Sequence, residues 1–122
     1  MNLRDRILAA DDLAREKVAV PEWPDEEGRP AEFYLRAMTG TERERYEGGL
    51  FKDDGTGEIN RGRLRALLVA CCAVDGEGKP VFTDTDVEAL SGKSSAVLIR
   101  LAAVAQRLNG LGAEAAEAAA KK

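Results

Sequence analysis

Two apolar stripes at helical spacing set what this chain can fold into. In the first, Leu64, Leu67, Leu68, Cys71 and Cys72 stand at i, i+3, i+4, i+7 and i+8, the one-sided pattern of an amphipathic helix. In the second, Val97, Leu101, Val104, Ala105 and Leu108 stand at i, i+4, i+7, i+8 and i+11. The spacing predicts helices over 61–74 and 94–109. Asn60 offers an N-cap to the first, and Asp75-Gly76 ends it with a residue that tolerates the left-handed conformation. Gly110 closes the second. Two stripes this strong, about one connection apart, are expected to pack on each other, so residues 60–109 form the core.

The remaining segments read as attachments to that pair. Asn2 can cap a short helix over 3–11 with Leu3, Ile7 and Leu8 on one face. Residues 16–22 read as extended, with Val18 and Val20 on one face and Pro21 at an edge or end. Asp25-Glu26-Glu27-Gly28 is a turn. Residues 32–38 alternate, with Phe33, Leu35 and Ala37 on one face and Tyr34, Arg36 and Met38 on the other. Together these predict a β-hairpin over about 17–38. A lone hairpin is marginal, so its apolar face is expected to rest on the helices. Either Thr39 with Glu42 or Thr41 with Glu44 forms a capping box for a helix carrying Tyr46, Leu50 and Phe51, which Gly48-Gly49 weakens. Residues 52–58 form a polar, Gly-rich loop. Thr83 to Asp86 offers a further capping box, before a short helix with Val87 and Leu90 inward and Gly92 at its end. The fold class is therefore α+β, mostly α: one helical domain over 1–111 with an N-terminal β-hairpin. An Ala-rich tail over 112–122 has little to bury and is expected to fray.

The chemistry is narrow. There is no histidine among the 122 residues, which removes His-based acid–base work, the usual triads and His-containing zinc sites. Adjacent Cys71 and Cys72 point about 100° apart on a helix. That makes them a poor metal pair and an unsuitable mutual disulfide, and small core residues instead. This fits a reducing compartment. Counting an EF-hand from Asp75 puts Pro80 where the sharp-turn glycine belongs and Asp86 where a bidentate Glu belongs, so this is a turn and not a calcium loop. Gly55-x-Gly57 lacks the Gly-Lys-Ser/Thr of a phosphate loop. No catalytic, cofactor or metal site is expected. The net charge of −4 and the scattered aromatics argue against nucleic acid. The one dense basic cluster, Arg61-x-Arg63-x-Arg65, reads as a solvated helix start. No apolar run is long enough to span a membrane, and the N-terminus lacks the apolar core of a signal peptide, so a cytoplasmic protein is expected. Phe82 reads as an anchor of its turn onto the helices. Trp23 and Phe51 sit beside loops, outside the stripes. Two readings stand for them: anchors for a partner protein, or caps on the core edge.

The order of motifs carries a resemblance. Residues 3–13 (LRDRILAADDL) are followed by Val18-Ala-Val-Pro-Glu-Trp23, then Tyr34-Leu-Arg-Ala-Met-Thr-Gly-Thr-Glu-Arg43. The turn Asp75-Gly-Glu-Gly-Lys-Pro-Val-Phe-Thr-Asp84 and the run from Leu101 through Leu108-Asn-Gly-Leu111 complete the succession. From Leu3 to Leu111 the chain resembles the small tail assembly chaperones of long-tailed bacteriophages. The resemblance implies a non-catalytic protein of the infected or prophage-carrying bacterial cytoplasm, absent from the finished virion. It implies that the protein coats the tape measure protein, keeps it soluble and brings tail tube subunits to it; self-association is compatible with this. It also implies a longer product made by ribosomal frameshifting, and Lys121-Lys122 stand where a slippery site would fall; as residues alone, the pair reads more simply as lysines favoured by the dipole at the end of a solvated Ala/Glu helix. A head–tail connector or tail terminator component, and a small regulatory binding module, are the competing classes.

Overall fold

The computed structural model describes residues 2–111, and the Ala-rich stretch 112–122, expected to fray, lies outside the described residues. The chain opens with α1 (Leu3–Ala9), capped where Asn2 Oδ1 accepts the Asp5 N–H at 2.8 Å. β1 (Arg15–Val20) and β2 (Ala31–Arg36) then pair antiparallel, from Arg15 opposite Arg36 to Val20 opposite Ala31. The alternation places Val20, Phe33 and Leu35 in the core. β1 stops at Val20 because Pro21 has no N–H to continue the ladder. Met38, which alternation alone would place with Tyr34 and Arg36, is buried. The strand ends at Arg36, so the period of two no longer governs Met38.

The tip of the hairpin and a later turn are twins. Asp25-x-Glu27-Gly28-Arg29-Pro30 and Asp75-x-Glu77-Gly78-Lys79-Pro80 share sequence and geometry. In each, Asp Oδ1 accepts two backbone N–H groups, from Glu27 and Arg29 at 2.8 and 2.9 Å, and from Glu77 and Lys79 at 2.9 and 3.0 Å. Gly28 and Gly78 take φ of 81° and 84°, a conformation that costs glycine nothing. The backbone N–H bonds hold Asp25 and Asp75 below the ordinary carboxylate range. These carboxylates are turn-formers.

At α2 (Gly40–Gly49) the structure selects Thr39 and Glu42 for the capping box. Thr39 Oγ1 accepts the Glu42 N–H at 3.1 Å and Glu42 Oε1 accepts the Thr39 N–H at 2.8 Å. Arg36 fixes that same carboxylate with two 2.8 Å bonds. Only Tyr46 of α2 is buried. Gly49 lies against Leu67, where an added Cβ would stand 3.0 Å from a Leu67 methyl.

The first core helix is shorter than its stripe suggests. α3 spans Leu64–Cys72, not 61–74. Asn60 is not its N-cap: its Oδ1 accepts the Gly62 N–H at 3.2 Å, and Arg63 N–H bonds back to Asn60 O, which makes residues 60–63 a turn. At the other end Ala73–Val74 leave the helix to form β3, opposite Leu35 and Tyr34. The sheet is thus three-stranded, in the order β1-β2-β3, with one strand more than the hairpin. Thr83 caps a 3-10 turn (Asp84–Asp86) leading into α4 (Val87–Ser91), which buries Val87 and Leu90 and ends at Gly92. α5 (Ser95–Leu108) runs between the caps Ser94 and Asn109.

α3 packs on α5, and both rest on the sheet. Leu35, Leu68, Val69, Val97 and Leu101 are fully buried in one cluster. Each such side chain contributes about 1.5–3 kcal/mol relative to exposure. Asn109 ties the parts together. Its Oδ1 accepts the Met38 N–H at 2.7 Å, and its Nδ2 donates to Ala105 O at 2.8 Å and to Cys72 Sγ at 3.4 Å.

Candidate partner-binding surface

Phe51 is not on a helix. α2 stops at Gly49, and Phe51 instead forms an antiparallel bridge with Ile59. Lys52 N–H to Glu58 O at 2.8 Å and Asn60 N–H to Leu50 O at 2.6 Å make residues 50–60 a small two-armed loop. The Lys52–Glu58 ion pair, 3.1 Å, adds a side-chain clasp. Bridge partners have their side chains side by side, so Phe51 and Ile59 make one apolar spot, 47% and 45% exposed. Ile59 escaped sequence reasoning. The available signal was two apolar residues flanking the polar turn Asp53-Asp54-Gly55-Thr56-Gly57.

Trp23 stands elsewhere, where β1 and β2 diverge. Its N–H donates to Val20 O at 3.1 Å and its carbonyl accepts the Ala31 N–H at 3.2 Å. The side chain is half-buried and packs against the core. Beside it, Glu22 forms a two-bond pair with Arg100 of α5, at 2.9 and 3.0 Å. That guanidinium pulls the Glu22 carboxyl down to about 2. The fold seats Trp23 and Phe51 on separate segments, and pairs Phe51 with Ile59.

α1 supplies further apolar surface: Leu3, Ile7 and Leu8 are 61–69% exposed, and no residue of the helix is buried. Phe82, with Ala70 and Cys71, lines a cleft of about 270 Å³ between α2 and the turn that follows β3. Burial pushes the Cys71 thiol up to about 11 and the Cys72 thiol up to about 12, so neither is an activated nucleophile. Among the described residues no group of three or more His, Cys, Asp or Glu could hold a metal ion. No helix among them is long and apolar enough to cross a membrane. What this surface offers is scattered exposed apolar side chains.

No protein-family model matches the chain, and no curated protein sequence matches it. A solved structure does: that of the bacteriophage HK97 tail assembly chaperone, with a TM-score of 0.58 and 21% sequence identity, over 86% of this chain and 95% of that one. The order of motifs from Leu3 to Leu111 and the arrangement of elements point the same way, and the chain has the fold of a phage tail assembly chaperone.

Proposed function

We propose that this protein is a non-catalytic bacteriophage tail assembly chaperone that binds the tape measure protein, keeps it soluble and helps recruit tail tube subunits. The observation that carries the reading is the fold shared with the HK97 chaperone over most of both chains. The chemistry agrees. A tape measure protein is a long helical chain with apolar stripes, and a partner with exposed apolar spots covers them in helix-in-groove fashion. The anchors on this side are Trp23 and Phe51, the latter with Ile59 beside it. The protein acts in the host bacterial cytoplasm and does not remain in the virion. A frameshifted product extends it beyond Lys122, and a slippery heptamer in the last codons is the test of that extension.

Co-expression tests the main reading. A tape measure protein from the same phage is expected to be insoluble alone and soluble with it. A Trp23→Ala, Phe51→Ala double variant that keeps its helical circular dichroism is expected to lose most of that effect. A folded double variant that solubilises as well as wild type moves the site elsewhere. A wild-type chain with no effect on the tape measure protein overturns the function.

A further inference from the structure

The two core helices carry their charge in an uneven way. Residues 59–74 hold Arg61, Arg63 and Arg65 and no acid; residues 89–112 hold Lys93, Arg100 and Arg107 and no acid. Along α5 the charge is answered, since Arg100 pairs with Glu22 and Arg107 with Glu16. At the other end it is not. Arg61, Arg65 and Lys93 line one depression of about 220 Å³, with Ser91, Ser95 and Leu98. Among the described residues none of these three cations makes an ion pair. The start of α5, with its partial positive charge, opens on the same depression through Ser95. Glu88 lies in the neighbouring depression with Arg63, and the two depressions share Gly62 and Ser91.

We infer that this notch docks adjacent carboxylates of a partner protein, an acidic stretch on a helical segment. In a chain of net charge −4, three unanswered cations around one hollow form a local field of opposite sign. The hollow has the size of one or two side chains, with the apolar Leu98 in its wall, which suits carboxylates on short stems. A nucleic-acid backbone is tracked by a longer run of cations, and a single strand adds stacking aromatics on its bases; the residues lining this hollow supply neither. The notch deepens the tail-chaperone reading, on which it rests for the partner's identity, by giving the charge of the docking segment. It also gives Arg61 and Arg65 a role beyond a solvated helix start.

Fluorescence anisotropy tests it with three labelled probes: a short helical peptide of alternating Glu-Glu and Leu-Ala, the same peptide with Lys for Glu, and a single-stranded RNA of similar length. The acidic peptide is expected to bind, more weakly as salt rises. An Arg61→Gln, Arg65→Gln, Lys93→Gln variant of unchanged circular dichroism is expected to bind it about tenfold more weakly, the combined worth of three exposed charge pairs. Equal binding by that variant, equal binding of the Lys peptide, or tighter binding of the RNA overturns the notch. Co-purification of the tape measure protein with the wild-type chain separates the two ideas. Its failure removes the chaperone reading, while loss of acidic-peptide binding in the variant still upholds the notch.

Discussion

Asn109→Ala removes one side chain and its three contacts, to Met38 after β2, Cys72 of α3 and Ala105 of α5. The Met38 N–H loses its 2.7 Å acceptor in a half-buried position. A donor stranded away from water costs about 1–3 kcal/mol. Ala105 O loses the Asn109 amide but keeps the Asn109 backbone N–H at 3.1 Å, so it adds little. The 3.4 Å contact to Cys72 Sγ is weak and adds little more. The total is about 2 kcal/mol, nearly all of it at Met38. Urea unfolding reads this directly: with a slope near 2 kcal/mol per molar, the midpoint falls by about 1 M. Asn109→Asp keeps the acceptor for Met38 but turns a carboxylate oxygen toward Ala105 O, so it is expected to be destabilised too. A midpoint within about 0.3 M of wild type for Asn109→Ala, at unchanged slope, refutes the assignment of Asn109 as a stabilising tie.

Four further outcomes are expected. Leu68 of α3, 2% exposed in the core cluster, should cost about 2–5 kcal/mol on truncation to Ala, and an unchanged urea midpoint places it outside the core. Buried Cys72, raised to about 12, should react slowly with iodoacetamide in the folded protein at mildly alkaline pH and quickly in urea, and half-buried Cys71, raised to about 11, at an intermediate rate; rapid native labelling of Cys72 contradicts its burial. Because these acids are raised on folding, stability should also fall as pH climbs above the ordinary thiol value of 9.0. Glu22 has the opposite sign: its carboxyl is depressed from 4.5 to about 2, so its contribution is present above 4.5 and is lost as pH falls toward 2. The stability gap between wild type and Glu22→Gln should close over that window, and a gap independent of pH discards the Glu22–Arg100 pair as its source.

What the sequence disclosed followed the range of the forces involved. The end positions of α5 were legible because Ser94 and Asn109 act on their own helix within a turn. The stripe of α3 was legible, but its ends were not. β3 takes Ala73 and Val74 only because β2 presents a free edge there, a fact about residues 34 and 35. Phe51 looked helical because the bridge that claims it is formed with Ile59, across a polar turn. The burial of Met38 was not legible for the same reason, since Asn109 fixes its backbone from 71 residues away. In the candidate surface, Arg61 and Arg65 were visible as a cluster, but Lys93 joins them only once α5 has packed. The family resemblance lay in the order of motifs, and at 21% identity individual residues carry little of it.

The order β1-β2-β3 leaves the sheet with two margins, and each is a template on which a foreign strand could grow. Neither invites one. The outer strand, β1, opens with Arg15, Glu16 and Lys17 and is followed at once by Pro21. A second copy in register would set like charges side by side. On the opposite margin β3 is two residues long, and Val74 meets Pro80, which has no N–H to offer a newcomer. Under the chaperone role proposed above, such a protein would stand in quantity beside sticky chains without being drawn into their aggregates. Short, charged and proline-stopped margins let this small sheet accumulate without seeding amyloid-like growth.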